Sequence, residues 1–308
     1  MQAAGVRVLG GPVEQLELAD PPEPGDGEVL IDVLAAGIGN WDDLVRTGAW
    51  DVGTRPPMAL GVEAAGTVRA VGTGVSRFAA GDAVLVHSAP LRYQGAWAER
   101  FLANEADVAA KPPSLNWRVA GALPVPLLTA AQVVRHLACQ PADVVFVHGA
   151  GGLTGGLLVL MAAQTGCRVV ATGSPGSADR IRAYGAAEVV DYRAPDWRAQ
   201  LHAQSPGGFA GAINAVRGAA ASLLPLVADG GRLVTITGDP PASERGIEVR
   251  NPIVAPGGLA LEAAADLVAR VGPRVTIAET ASLQEAAGAL QRVVQGSGGG
   301  ARVVDPRH

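Results

Sequence analysis

Chemistry concentrates in one stretch, Asp143 to Gly156 (DVVFVHGAGGLTGG), where glycines recur at Gly149, Gly152 and Gly155. In such a turn one glycine lets the backbone reverse, one lets it approach a pyrophosphate, and one lets a helix pack close on a strand. The backbone of Gly151, Gly152, Leu153 and Thr154 then heads the following helix. Its free N–H groups and the positive end of the helix dipole suit phosphate oxygens. The chemistry implied is dinucleotide binding. A βαβ unit that binds nothing would show the same glycines, so the next segment matters.

That segment, Arg168 to Thr172 (RVVAT), is a second strand at the distance a βαβ unit requires, and its end bears on cofactor choice. Enzymes that prefer NAD place a carboxylate about 20 residues past the glycines, on the ribose 2′-OH. Here Gly173 and Ser174 stand there, and the first acid, Asp179, comes later and beside Arg180. Ser174, Ser177 and Arg180 offer hydroxyl donors and a positive charge for a 2′-phosphate, so NADPH is the expected cofactor. Solvated surface arginines would look the same.

Other chemistries find little support. Lys111 is the only lysine, which leaves a Schiff base or a phosphate-binding P-loop almost nowhere to be. Cys139 and Cys167 stand apart in sequence and read as two buried thiols rather than a disulfide or a metal site, which suits a reducing cytoplasm. The five histidines, His87, His136, His148, His202 and His308, show no ligand spacing, so no metal site is expected. A net charge of −5 with scattered arginines argues against nucleic acid. No apolar run reaches membrane-spanning length and no signal sequence opens the chain, so no membrane is expected as a partner. The expected partners are a small-molecule substrate and a second copy of the chain, as a homodimer.

The elements that must position these residues fall into two groups, as 308 residues lead one to expect. Residues 1 to about 118 read as all-β. Glu28 to Ala35 alternates, Gly61 to Val71 is broken by glycine, and Ala83 to His87 and Ala98 to Leu102 add two more strands, a pattern that fits a small, bent barrel. From Trp117 the pattern turns helical through Leu137, interrupted by Pro124 and Pro126. Then come strands at Val144–His148, Arg168–Thr172, Glu188–Tyr192, Gly211–Val216 and Gly231–Thr237, with helices between. In a doubly wound sheet the ligand lies outside the carboxyl ends of the strands, which puts Asn214, Ala215, Val216 and Gly238 by the cofactor. Helix Leu259–Val271, a return through Arg274–Ala278, helix Leu283–Val294, a glycine linker at 296–300 and strand Ala301–Val304 complete the chain.

Two longer stretches carry a resemblance. Gly61 to Leu85 (GVEAAGTVRAVGTGVSRFAAGDAVL) is similar to the signature of the medium-chain dehydrogenase/reductase superfamily, and VHGAGGLTGGL, TGCRVVATGS and YGAAEVVDYR resemble its zinc-free quinone oxidoreductase branch. The likeness implies an α/β fold: a GroES-like β-barrel catalytic domain built from both chain ends (1–118 and 256–308) around a doubly wound Rossmann NADP(H)-binding domain (119–255), with the active site in the cleft. It implies hydride transfer from nicotinamide C4 to a quinone or an α,β-unsaturated carbonyl compound. Zinc-dependent relatives place a cysteine at the position of Gly39 and a histidine at that of Val62, and neither residue here can bind a metal.

The same resemblance singles out further residues. Asn40 falls where zinc-free relatives offer a polar side chain beside the nicotinamide, and its amide could donate to a carbonyl; equally, Asn40 and Asp42 could cap a short helix. Trp50 stands at or next to a position where reductases carry tyrosine, and an indole N–H donates a hydrogen bond without giving up its proton. Asn40 and Trp50 are thus the expected catalytic residues. Thr129 in the LTA stretch and Tyr192 match cofactor contacts, with a helix cap the alternative for Thr129. Asn214 replaces a common aspartate. The Trp50 departure keeps open a non-redox use of the fold, as a cyclase or a binding protein.

Overall fold

Glycine and β-branched residues recur through the first third of the chain, which folds mainly into strands. The computed structural model describes residues 1–296 and 300–308. In chain order the elements are β1 (Gln2–Val6), β2 (Glu14–Glu17), β3 (Glu28–Ile38), α1 (Asn40–Thr47), β4 (Met58–Ala59), β5 (Glu63–Val71), β6 (Ala83–His87), β7 (Arg100–Asn104), β8 (Val108–Ala110), α2 (Trp117–Gly121) and α3 (Pro124–Leu137). There follow β9 (Val144–His148), α4 (Leu153–Gln164), β10 (Arg168–Gly173), α5 (Ala178–Ala183), β11 (Glu188–Asp191), α6 (Trp197–Gln204), β12 (Phe209–Asn214), β13 (Val227–Thr235) and β14 (Glu248–Arg250). The chain ends with α7 (Gly258–Val271), β15 (Ile277–Ala281), α8 (Ala286–Val294) and β16 (Ala301–Val304). Of the expected glycine linker, residues 297–299 lie outside the described residues.

Two compact units result, residues 1–128 with 255–308, and residues 129–254. In the first, seven strands run β15-β16-β3-β5-β6-β8 with β7 also on β3, and a small sheet pairs β2-β1-β4. The C-terminal strand β16 lies antiparallel to the end of β3, so both chain ends build one sheet. Its bends sit where glycine permits close approach: a Cβ on Gly66 would fall 2.1 Å from the Asp32 carbonyl, beside the register shifts between β3 and β5.

The second unit holds a six-stranded parallel sheet in the order β11-β10-β9-β12-β13-β14. Its strands are apolar on both faces because helices cover both, and Phe146, Val170, Leu201, Phe209, Leu223 and Leu233 form one buried cluster. Each such side chain contributes about 1.5–3 kcal/mol by leaving water. The order reverses between β9 and β12, and that switch point opens at the glycine turn.

Several elements differ from expectation for local reasons. The helical stretch expected to be interrupted by Pro124 and Pro126 is two helices, broken at Ala122–Leu123, with both prolines in the first turn of α3, where no N–H is needed. A Cβ on Gly121 would meet the Ala35 carbonyl at 2.4 Å, so α2 lies on β3, and residues 119–128 belong with the first unit rather than the second. Strands β1, β2, β8 and β14 carry no pattern that stands out, being short or at edges.

Candidate functional site

In the second unit, β9 delivers the chain to the turn, and the glycines divide the labour. Gly149 adopts φ +88°, a left-handed conformation that favours glycine, and a Cβ there would strike Val216 Cγ2 at 2.7 Å and come within 3.3 Å of Ala215. Gly155 lies so close to the turn that a Cβ would sit 2.1 Å from the Gly149 carbonyl. Gly152, the N-cap of α4, has φ −81°, and its added Cβ would find nothing nearer than 4.0 Å. Space is therefore open at the one glycine that heads the helix, as anion binding there requires.

Around that opening the structure gathers most of the residues singled out in the sequence. Arg180 Nη2 donates to the Gly151 carbonyl at 2.6 Å. Ser177 Oγ lies 3.3 Å from the position of a Gly151 Cβ, and the hydroxyls of Ser174 and Ser177 are 3.2 Å apart. The Ser177 hydroxyl also donates to the Ser174 carbonyl at 2.9 Å and so closes the turn, while Ser174 and Arg180 are half-buried. A Cβ at Gly173 would meet Ile181 Cδ1 at 2.2 Å and Ser177 Oγ at 2.8 Å, so a side chain at the end of β10 would need those two side-chain ends to shift. One strand over, Asp191 is held by the Arg193 N–H at 3.0 Å. Tyr192 is 45% exposed beside Arg193.

Behind the turn lies a support the sequence did not reveal. Thr172 Oγ1 accepts from the Gly149 N–H at 3.1 Å and meets His148 Nδ1 at 2.8 Å, while the His148 ring stacks on Trp197 at 5.6 Å. Burial, then the nearby Arg198 charge, lowers the His148 pKa to about 4, so the ring is neutral. Farther along, Ala215 and Val216 follow β12 and Gly238 follows β13. Thr129 is half-buried inside α3, past its first turn, and so caps nothing.

The first unit holds a second polar cluster. Gly37 and Gly39 lack side chains where Glu63 and Trp41 come in: a Cβ on Gly37 would meet Glu63 Oε1, and one on Gly39 the Trp41 ring at 2.1 Å. Asp42 is fully buried and its Oδ2 accepts from the Gly39 N–H at 2.8 Å, so the cap of α1 is made by Asp42 and not by Asn40. Burial raises the Asp42 pKa to about 8, against the N–H bonds from Gly39 and Gly61. Burial likewise raises Glu63, which accepts from the Val125 N–H at 2.7 Å and feels Asp42. His87 sits opposite Glu63 across β5 and β6, with Nδ1 on the Val62 carbonyl at 2.9 Å, and burial lowers it to about 4. Asp42 Oδ1, His87 Nε2 and Trp41 Nε1 are buried without partners. Asn40 itself is exposed at the start of α1, and Trp50 is half-buried, its backbone N–H on the Leu44 carbonyl at 3.0 Å.

Zinc does not fit this cluster. Val62 is a fully buried apolar residue, and at Gly39 the Trp41 ring occupies the space a cysteine would need. Among the described residues no three His, Cys, Asp or Glu side chains converge as ligands. Of the two thiols expected to be buried, Cys167 is buried but Cys139 only half so, and the two come together in space: Thr165 Oγ1 lies 3.4 Å from Cys139 Sγ and 3.1 Å from Cys167 Sγ. The sole lysine, Lys111, binds the carbonyls of Pro112 and Leu115. No helix among the described residues is long and apolar enough to cross a membrane.

Comparison with known proteins places these features in context. The family described as alcohol dehydrogenase GroES-like domain matches residues 25–113, and that described as zinc-binding dehydrogenase matches residues 184–304. Quinone oxidoreductase of Sus scrofa is 34% identical over 198 residues, 63% of this chain and 59% of that protein. A solved NAD-dependent alcohol dehydrogenase superposes with a TM-score of 0.85 at 27% identity, over 99% of both chains. A mycobacterial protein solved in complex with NADPH does so at 0.84 and 26% identity, over 99% of this chain and 100% of that one.

The buried carboxyl yields a prediction. Between its unfolded value of 3.8 and its folded value of about 8, Asp42 keeps a proton in the native state that the unfolded chain has lost, so stability falls as pH rises across that window. Asp42→Asn keeps an acceptor for Gly39 and cannot ionise. In urea unfolding the variant should gain on the wild type by about 1–3 kcal/mol between about pH 5 and about pH 7. Parallel pH profiles for the two proteins would mean that Asp42 titrates normally.

Proposed function

Because the chain belongs to the medium-chain dehydrogenase/reductase superfamily, we propose that it is an NADPH-dependent, zinc-free reductase of a quinone or an α,β-unsaturated carbonyl compound. The observation that carries this reading is the head of α4: a glycine with open space at a helix N-terminus, with Arg180 bonded to the neighbouring Gly151 carbonyl, beside a strand end, Gly173–Ser174, that carries no carboxylate. NADPH fits there, held by the N–H groups of Gly152 to Thr154 at the pyrophosphate and by Ser174 and Arg180 at the 2′-phosphate. Thr129, Tyr192, Ala215, Val216 and Gly238 complete the cofactor contacts in this reading. When bound, the reduced nicotinamide supplies a hydride.

The protein's own share is orientation and charge stabilisation. Asn40, exposed and free of the capping role, donates its amide to the substrate carbonyl as negative charge develops there. Trp50 offers a hydrogen bond from its indole but no proton, so water protonates the product. Residues 1–128 with 255–308 serve as the GroES-like catalytic domain and 129–254 as the nucleotide-binding domain. A homodimer in the cytoplasm completes the proposal, with Ile253, 79% exposed just beyond edge strand β14, among the apolar surface such a contact would cover.

Two experiments test it. NADPH oxidation, followed by absorbance in the presence of chelator, should proceed with at least one member of a panel of quinones, enals and enones, and NADPH should bind at least about tenfold tighter than NADH. Tight NADPH binding with no substrate reduced would favour a non-redox use of the fold, the reading that Trp50 keeps open. Asn40→Ala should lower kcat by about ten- to a thousandfold with NADPH affinity nearly intact. An unchanged kcat would remove Asn40 from the reaction.

A further inference from the structure

Across the carboxyl ends of β12 and β13 runs a chain of hydrogen bonds with a neutral amide at one end and a carboxylate at the other. Asn214, fully buried at the last position of β12, sends Nδ2 to the Val216 carbonyl at 3.0 Å, to Thr235 Oγ1 at 3.1 Å and to Thr237 Oγ1 at 2.9 Å. Its Oδ1 accepts from the Val216 N–H at 3.1 Å. Both hydroxyls reach Asp239: Thr235 Oγ1 lies 3.1 Å from Asp239 Oδ1, and Thr237 Oγ1 bonds the same oxygen. The backbone N–H groups of Gly218 and Ala220 also favour the Asp239 carboxylate.

Proton counting fixes the direction of this chain. Each threonine hydroxyl has one proton, and an ionised carboxylate only accepts. The two hydrogens of Asn214 Nδ2 are shared among three acceptors, and the two hydroxyls also lie 2.9 Å from each other, so four protons serve six contacts; because the amide nitrogen only donates and the carboxylate only accepts, the bonds that reach Asp239 carry the hydroxyl protons toward it. Burial pushes Asp239 upward, yet the hydroxyls of Thr237 and Thr235 and the N–H groups of Ala220 and Gly218 outweigh it, and the group is held below its usual range. The end groups are thus matched, donor at 214 and acceptor at 239.

The chain grips Val216 through both its N–H and its carbonyl, and grips Gly218 and Ala220 through Asp239. Val216 is the residue that fills the space beside Gly149, where a Cβ would lie 2.7 Å from its Cγ2. We propose that Asn214 and Asp239 are positioning residues for the nucleotide, a matched donor and acceptor that hold the loop of Ala215 and Val216 against the glycine turn through Thr235 and Thr237. This rests on the reading that the turn receives NADPH.

A charge-exchange cycle tests it. Asn214→Asp sets two carboxylates against two hydroxyl protons, and Asp239→Asn removes the charge that draws those protons; in the double variant an amide at 239 faces a carboxylate at 214, so the hydroxyl bonds can run the other way while the Val216 N–H keeps its acceptor, and the match is restored. NADPH binding is measured by fluorescence on all four proteins at a temperature where circular dichroism shows each folded. Each single variant should bind about tenfold or more weaker, and the double should return to within about threefold to fivefold of wild type, the residue being the Val216 carbonyl that loses its donor. A double variant as weak as the product of the singles overturns the proposal, as do singles with wild-type affinity. Thermal midpoints of the same four proteins need no ligand. Their recovery in the double without recovery of affinity would leave the chain a feature of the fold only and overturn the positioning role. Failure of the wild type to bind either nucleotide would strike the functional reading instead, since the thermal cycle reads the match on its own.

Discussion

No side chain fits between the Gly149 carbonyl and the first turn of α4. That contact fixes how steeply the helix leaves the strand, and much of the second unit follows from it. A helix seated so close points its unpaired N–H groups out of the switch point of the sheet. Gly152 then stands clear at the tip, Gly149 is left with room only for Val216, and the carbonyl of Gly151 is presented to Arg180. Polar groups behind the turn hold it from below: Thr172 on the Gly149 N–H and the neutral, stacked His148 on Thr172. The proposed nucleotide site is thus the surface of a packed core.

The first unit solves a different problem, since two carboxyls and a histidine lie buried together without a converging metal set among the described residues. Such groups are costly unless neutral or hydrogen-bonded. Here the direction of each shift is the one burial dictates: the acids rise, the imidazole falls, and backbone N–H groups take up one oxygen of each acid. Glycines at 37 and 39 make the room. The result fastens β3, α1 and β5 at the point where the loop bearing Asn40 and Trp50 begins.

What the sequence disclosed tracks how local the physics is. Strand, glycine turn and helix at Val144–Gln164 are legible because each depends on neighbours a few residues away, as does the absence of a carboxylate at Gly173 and Ser174. The proximity of Cys139 and Cys167 and the burial of Asp42 are not legible, since each depends on which distant strand or loop lies alongside. The Asn214 to Asp239 chain is the clearest case. Twenty-odd residues separate its ends, and only the parallel pairing of β12 with β13 brings Asn214 opposite Thr235.

The account turns on a phosphate sitting at the head of α4, and Gly152→Asp with NADPH titration addresses that point most directly. The backbone at Gly152 suits any residue and its surroundings leave space, so the variant should fold as the wild type does by circular dichroism and thermal midpoint. A carboxylate there meets the pyrophosphate, and NADPH affinity should fall on the order of a hundredfold or more. A folded variant with wild-type affinity for NADPH would contradict the account, leaving the glycines to serve packing alone.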